Sequence, residues 1–316
     1  MKKLLILLTV MLLVSGCSVK QGGSSGSSDP EPKGPALQIL APKGAPALSL
    51  LAYENAYGPD SLTLVDGSDL LQAAFANPSP EYDVIIAPLN LGAKLMSSGN
   101  TEYRLAGVVT WGNLYLVVND ALADDTSLPV ALFGEGAVPE KVLVTALDAD
   151  SVFGDRDILY LPSVAEVQGQ LLAEKSAIGL VAEPALSALL IKAAQSNMSF
   201  SILADLQVEW KNATGSSNYP QAGVFVLPKS VSDKADAYSA FIDALTAMNV
   251  YAENPEGVEA LLAGKEDLFG TPAAAVIVSA WPKMNIAYKP ASECVSEMNA
   301  FLQLFNINDV AEYIIK

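Results

Sequence analysis

The feature that most constrains the fold is an alternation of short apolar runs with helical patterns, which begins at Leu37 and continues along most of the chain. Residues 37–41, 61–65 and 82–87 each have the length and composition of a strand, and each is followed by a helical pattern. The same alternation resumes at residues 130–133. Strands and helices that alternate in this way predict an α/β fold with largely parallel sheets.

Two longer apolar segments interrupt the alternation, at residues 105–118 and 219–228. Because the first is too long for one ordinary strand, we expect the chain to cross there from one lobe to another, and to return at the second. A chain of 316 residues has room for two lobes of about 100–150 residues each, with a cleft between them. The expected organisation is lobe I from residues 36–115 and 223–316, and lobe II from residues 116–222.

The N-terminus has the pattern of a secretory signal peptide. Lys2 and Lys3 precede an apolar run over residues 4–14, which is shorter than the roughly 20 residues that span a membrane. The run closes on Val14-Ser15-Gly16-Cys17, which resembles the lipobox of bacterial lipoproteins. An ordinary signal peptide that contains a cysteine is the alternative interpretation.

The lipobox resemblance implies that residues 1–16 are removed as a signal peptide, and that Cys17 carries acyl chains such as palmitate. Residues 18–35 are rich in Gly, Ser and Pro, and are expected to form a flexible tether. We therefore expect an extracytoplasmic protein that is anchored to the lipid bilayer through Cys17.

Composition excludes several classes of function. The formal net charge is −17, and a body this acidic repels phosphate backbones, so we expect no nucleic-acid partner. The chain contains no histidine, which excludes imidazole metal sites and Ser–His or Cys–His dyads and argues against an enzyme. We expect no metal and no cofactor.

Cys294 is the second of two cysteines, so no disulfide is expected within a chain whose Cys17 is lipidated. At helical spacing it shares one face with Met298, Phe301 and Phe305. This pattern predicts a buried thiol that packs as a small hydrophobic group.

Four turns that follow predicted strands are rich in Gly, Pro, Ser and Asn, at residues 42–46, 66–69, 87–90 and 134–139. In a parallel sheet such turns lie at the carboxyl edge, where helix N-termini expose free N–H groups to ligands. In the first crossing, Trp111 can stack on a planar ligand, while the Asn113 amide offers a donor and an acceptor. Packing between lobes is the alternative role for Trp111.

Several segments together resemble the solute-binding proteins of ABC importers for nitrate, sulfonates, taurine and thiamine precursors. These are residues 66–75, 83–90, 182–185 and 219–224, and the similarity extends from about Leu37 to Leu304. The resemblance implies the type II periplasmic-binding-protein fold, a monomer, and an ABC permease as partner. It places around the cleft Gly44, Ala45, Pro46, Ser68, Asn90, Trp111, Gly112, Gly136, Ala137, Glu183 and Tyr219.

None of the four turns contains an arginine, whereas sulfonates and nitrate usually find a bidentate guanidinium. Lys43 is the cationic candidate, against the carboxylates of Glu135 and Glu183. We therefore expect a planar, amine-bearing nitrogen heterocycle as the small-molecule ligand. Glu183 has an alternative role as a carboxylate that stabilises a helix N-terminus.

The function that these features predict is capture of a small solute by hinge closure and its delivery to a permease. Two alternatives stay open at this point. One is an enzyme on the same two-lobed fold that uses carboxylate or lysine chemistry. The other is a sensor that presents its closed form to a membrane kinase.

Overall fold

The structure is a computed structural model, and it describes residues 35–252 and 254–316. The predicted signal peptide, Cys17 and the tether up to residue 34 lie outside the described residues. The described chain forms two β-sheets with helices packed on their faces. In chain order the strands are β1 (Ile39–Pro42), β2 (Leu62–Val65), β3 (Val84–Pro88), β4 (Arg104–Trp111), β5 (Leu114–Asn119), β6 (Val130–Phe133), β7 (Ile158–Leu161), β8 (Ile178–Ala182), β9 (Phe200–Asp205), β10 (Pro220–Val226) and β11 (Ile286–Pro290).

Helices connect most of these strands and cover the sheets. In chain order they are α1 (Ala45–Leu48), α2 (Leu51–Tyr57), α3 (Asp69–Ala76), α4 (Leu89–Ser97), α5 (Val138–Ala146), α6 (Ala149–Phe153), α7 (Val164–Leu172), α8 (Ala185–Gln195), α9 (Leu206–Thr214), α10 (Pro228–Asp233), α11 (Ala235–Ala247), α12 (Glu256–Leu262), α13 (Glu266–Phe269), α14 (Ala274–Met284) and α15 (Val295–Leu302). The 3₁₀ segment Met248–Ala252 lies beside β11.

The first sheet has the strand order β11-β4-β10-β3-β1-β2. Strand β1 is parallel to β2 and β3, while β10 is antiparallel to both β3 and β4. One edge of this sheet therefore collects the carboxyl ends of β1, β2, β3 and β4 together with the starts of β10 and β11. We call it the first ligand edge.

The second sheet has the order β7-β6-β8-β5-β9. Strands β6, β7 and β8 are parallel, and β5 is antiparallel to β8 and β9. The carboxyl ends of β6, β7, β8 and β9 therefore share an edge with the start of β5. We call it the second ligand edge.

The chain passes from the first ligand edge to the second through only Gly112 and Asn113, between β4 and β5. The apolar segment 105–118, which we expected to be a crossing, is thus two strands with a two-residue passage between them. The return passage is residues 215–219, because β10 already belongs to the first sheet. The residue-level lobe boundaries stay a prediction.

Alternation along the strands builds the core. Ile39 and Ala41 of β1 pack in the apolar cluster on one face of the first sheet, and Leu40 packs in the cluster on the other face. This latter cluster continues to Leu116 and Val130 in the second sheet, so the two lobes share buried apolar contacts. Cys294 is free and buried, as predicted from its helix face.

Local signals set several helix ends. Ser163-Val-Ala-Glu166 has the sequence pattern of a capping box, and Ser163 is the N-cap of α7, with its hydroxyl accepting from the Glu166 N–H at 3.3 Å. Asn254-Pro255 and Thr271-Pro272 each have the sequence pattern of an N-cap followed by the first helical residue. That prediction is wrong, because α12 begins one residue later and α14 two residues later. Before α14 the backbone of Ala273 is still extended, with φ −48° and ψ 143°, which leaves the preceding proline outside the helix.

Candidate functional site

The turns of the first ligand edge lie side by side because β1, β2 and β3 are parallel neighbours. Gly44, with φ +94°, precedes α1, whose first residues are the buried Ala45 and the half-buried Pro46. Ser68 is exposed at the N-cap of α3, although its side chain makes no capping hydrogen bond. Asn90 lies in the first turn of α4. The fold therefore brings these predicted residues to one edge.

The second ligand edge carries the turn after β6. Glu135 and Gly136 are exposed there, and Ala137 is the N-cap of α5. The Gly136 N–H donates to the carboxylate of Glu140, which also accepts a hydrogen bond of 2.7 Å from the Tyr160 hydroxyl. These hydrogen bonds hold the turn in place. The Glu135 side chain itself makes no hydrogen bond or ion pair with any described residue.

Gly112 is held from both sides in the passage between the sheets. Its N–H donates to Asn218 Oδ1 at 2.8 Å, and its carbonyl accepts from Asn285 Nδ2. A Cβ atom at this position would lie 2.5 Å from both Asn218 Oδ1 and the Tyr219 ring. A glycine is therefore required for the two passages to approach each other.

Asn113 binds the second lobe through its side chain and its backbone. Its Nδ2 donates to the Glu183 carbonyl at 3.0 Å, and its own carbonyl accepts from the Glu183 N–H at 3.0 Å. Asn113 is buried. The donor that we expected to face a ligand is thus used to hold the passage against the end of β8.

Gln207 joins the start of β5, directly after the first passage, to the return passage. It accepts from the Leu114 N–H at 2.9 Å and donates to the Leu114 carbonyl at 3.1 Å. Its Oε1 also accepts a 2.7 Å hydrogen bond from the Tyr219 hydroxyl. Tyr219 is fully buried, and burial raises its pKa well above the usual tyrosine range, so the hydroxyl remains a donor.

We call Gly112, Asn113, Gln207, Asn218, Tyr219 and Asn285 the hinge network. Gln207, Asn218 and Asn285 were not among the residues predicted from the sequence, because nothing local marks them. Their partners lie far away along the chain, 106 residues away for Asn218 and 173 for Asn285. The structure thus assigns Gly112, Asn113 and Tyr219 contacts that join the two lobes.

Trp111 packs beside this network. It is only 5% exposed, and its indole N–H donates to the Ala287 carbonyl at 2.9 Å. The Lys289 ammonium lies 4.5 Å from the centre of its ring. Both contacts are to β11 of the same sheet, so they show packing within the first lobe, and the packing between lobes that the sequence left open stays a prediction.

Glu183 is 2% exposed at the start of α8. Its carboxylate accepts from the N–H and the hydroxyl of Ser187, at 3.1 and 3.0 Å. Burial raises the pKa of this carboxyl, while the Ser187 hydrogen bonds and the Lys283 charge partly oppose the rise. The contacts agree with the alternative role of a carboxylate at a helix N-terminus.

Two further groups of the first ligand edge bear on ligand chemistry. The Lys43 ammonium forms an ion pair of 3.0 Å with Asp66, so its charge is partly neutralised. Asn90 Oδ1 is buried and accepts no hydrogen bond from the described residues. Among residues 35–252 and 254–316, no group of three or more Cys, Asp and Glu side chains could hold a metal ion.

Comparison with known proteins finds similar proteins among the solved structures. No protein-family model and no curated protein sequence matches the chain. The crystal structure of an ABC transporter from Parabacteroides distasonis is 25% identical, with a TM-score of 0.68 over 89% of this chain and 96% of that one. The periplasmic aliphatic sulphonate-binding protein SsuA from Escherichia coli is 16% identical, with a TM-score of 0.63 over 90% and 98%.

The chain has the type II periplasmic-binding-protein fold. The resemblance to solute-binding proteins of ABC importers, stated above from the sequence, is thereby confirmed. The periplasmic nitrate-binding protein NrtA from Synechocystis PCC 6803 is also similar, at 12% identity and a TM-score of 0.53 over 79% of this chain and 70% of that one. No helix within the described residues is long and apolar enough to cross a membrane.

Proposed function

We propose that the protein is the extracytoplasmic solute-binding component of an ABC importer. The observation that carries this proposal is the two-residue passage at Gly112 and Asn113, which joins the two ligand edges directly. A small molecule between the edges would contact the turns that precede α1, α3, α4 and α5. Their free backbone N–H groups and polar side chains suit recognition of a small polar solute.

Closure of the two lobes around the solute is the mechanism that this arrangement supports. Two short passages, 112–113 and 215–219, absorb the rotation, while the sheets move as rigid bodies. The solute stabilises the closed form because it contacts both edges only there, so recognition requires differential affinity rather than a chemical step.

The anchor and the permease complete the proposal. Acyl chains on Cys17 would hold the receptor at the membrane, and residues 18–35 would let the closed lobes reach a permease. Loss of Cys17 releases the protein from the membrane fraction while solute binding is unchanged. Cell fractionation of Cys17→Ser, beside binding measurements on the same variant, tests this part separately.

For the ligand we propose a planar nitrogen heterocycle that carries N–H donors. The unpartnered acceptor Asn90 Oδ1 and the free carboxylate of Glu135 are both complementary to such donors. Neither of the two arginines belongs to the ligand-edge turns. Arg104 donates to the carbonyl of Tyr103, and Arg156 to those of Phe153 and Ala123, so no guanidinium is placed there for a sulfonate or nitrate.

Mass spectrometry of the small molecules that co-purify with the protein tests the proposal directly. A calorimetric panel of aminopyrimidines, aliphatic sulfonates and nitrate then tests the ligand class. We expect aminopyrimidines to bind and Asn90→Ala to weaken them about tenfold, while Asn100→Ala, on an exposed turn, has no effect. Binding of sulfonates alone overturns the ligand class and leaves the receptor role intact.

The receptor role has its own test. Small-angle scattering with and without the co-purified molecule measures the separation of the lobes. A decrease in the radius of gyration on binding supports hinge closure. Chemical turnover of that molecule, or binding without any change in shape, contradicts the proposed mechanism.

A further inference from the structure

A cavity of about 580 Å³ lies on the first lobe, beside the edge strand β11. Its walls come from the end of β4, the return passage, the end of α14, β11 and α15. The end of β4 and the start of β11 that line it belong to the first ligand edge, but the turns that precede α1, α3, α4 and α5 do not line it. Its volume falls within the range of about 300–1,000 Å³ that is typical of small-molecule sites.

The cavity presents one cation and one anion. Lys289 and Glu297 both line it, and neither forms an ion pair with another described residue. Lys289 instead lies over the Trp111 ring. The cavity wall therefore carries one positive and one negative charge that no ion pair within the described residues neutralises.

Apolar and polar groups complete the walls. Trp111 and Trp281 line the cavity but are only 5% and 1% exposed, and Lys289 lies over the Trp111 ring. Asn218 also lines the cavity, and its Nδ2 donates to no described residue because only its Oδ1 is used by the hinge network. An occupant of this cavity thus meets a free amide donor, an ammonium and a carboxylate.

We propose that this cavity, beside the hinge network at the first ligand edge, is a second binding site, apart from the turns that precede α1, α3, α4 and α5, for a small zwitterion such as an α-amino acid. A carboxylate of the occupant pairs with Lys289, and its ammonium pairs with Glu297. A simple anion would pair with Lys289 but be repelled by Glu297. A simple cation would pair with Glu297 but be repelled by Lys289. Only a molecule that carries both charges pairs with the Lys289 ammonium and the Glu297 carboxylate at once. This inference does not depend on the ligand proposed for the cleft.

Matched probes test the requirement for both charges. L-Leucine carries both groups, 4-methylpentanoate has only the carboxylate, and isopentylamine has only the ammonium. Binding is followed by calorimetry and by tryptophan fluorescence in Trp210→Phe, because Trp210 does not line the cavity. We expect L-leucine to bind at least tenfold more tightly than either single-charge analogue. Equal binding of the three, or no binding of any, overturns the proposal.

Variants locate the site. Lys289→Met and Glu297→Gln are each expected to weaken L-leucine binding about tenfold, while Lys192→Met and Glu102→Gln, which are exposed and do not line the cavity, leave it unchanged. Asn90→Ala, in the first ligand edge, also leaves it unchanged. If Asn90→Ala abolishes L-leucine binding and Lys289→Met does not, the zwitterion binds in the cleft. That outcome overturns the second site without affecting the proposed receptor function.

Discussion

The turns of the two ligand edges and the hinge network contrast in how their polar groups are used. At the turns, Ser68 and Glu135 are exposed, and their side chains make no hydrogen bonds within the described part of the chain. In the hinge network, Asn113 and Tyr219 are buried and their side chains are engaged in hydrogen bonds. Residues that the sequence analysis predicts as one ligand site thus divide into groups free to contact a solute and groups that hold the lobes together.

The two groups of residues should differ in the free energy that a substitution costs. A buried polar group that loses its partner costs about 1–3 kcal/mol, whereas an exposed polar group simply remains hydrated. Substitutions in the hinge network should therefore lower stability, and substitutions in the turns should alter binding alone. The experiments below test that separation, beginning with the largest expected effect.

Gly112→Ala should destabilise the protein by about 3 kcal/mol, because the new Cβ would meet Asn218 Oδ1 and the Tyr219 ring at 2.5 Å. Urea unfolding followed by circular dichroism measures the loss. Gly169→Ala is the control, since Gly169 is helical and exposed and a Cβ there contacts nothing. The control should be neutral or slightly stabilising. Equal losses in both variants contradict the steric role of Gly112.

Gln207→Ala should cost about 2 kcal/mol, because it removes the partners of the Leu114 backbone and of the buried Tyr219 hydroxyl. The same unfolding measurement applies. Gln195→Ala, at the exposed end of α8, is the matched control and should change stability by less than about 0.5 kcal/mol. If the Gln207 variant is as stable as this control, the hydrogen bonds of Gln207 do not stabilise the fold.

Two buried carboxylates, Glu183 and Asp83, should make the stability of the protein depend on pH in opposite directions. Burial raises the pKa of Glu183, so its contribution to stability falls as pH rises above the ordinary carboxyl pKa of about 4.3. The pKa of Asp83 is lowered: burial opposes the shift, but hydrogen bonds from Lys234, Ser230 and the Gln38 N–H outweigh it. Its stabilisation is present above a pH of about 3.9 and is lost as pH falls through the lowered pKa.

Thermal melts across pH 2–8 follow both groups. Glu183→Gln should remove the decrease in stability that occurs as pH rises above about 4.3. Asp83→Asn should remove part of the decrease that occurs as pH falls below about 3.9. Each variant serves as the control for the other, because they act in opposite directions. The assignment fails if Glu183→Gln changes only the acid side.

The smallest effect on stability is expected at the turns. Ser68→Ala and Glu135→Gln should each change the free energy of unfolding by less than about 0.5 kcal/mol, since both side chains are exposed and unpartnered in the described structure. Calorimetry with the co-purified solute should nevertheless show weaker binding. A loss of stability without a loss of binding would falsify the division between turns and hinge.

Much of the architecture was predictable because its causes are local. Strands β6 and β7 lie where the apolar runs at 130–133 and 158–161 predict them, and the Ser163 capping box begins α7. Predictions based on a single proline were less accurate, as at Pro255 and Pro272, because proline is accepted both in the first helical turn and just before it. The turns at the two ligand edges could be located in the sequence because Gly, Pro, Ser and Asn mark strand ends.

The sequence by itself determined the α/β pattern, the order of the turns, the acidic body and the absence of histidine chemistry, since each depends on composition or on neighbouring residues. Only the tertiary structure decided which polar groups at those turns remain free. Asn218 and Asn285 bind Gly112 across more than a hundred residues, and Lys289 lies over Trp111. Such pairings depend on how strands order within the sheets, and no local pattern encodes that order.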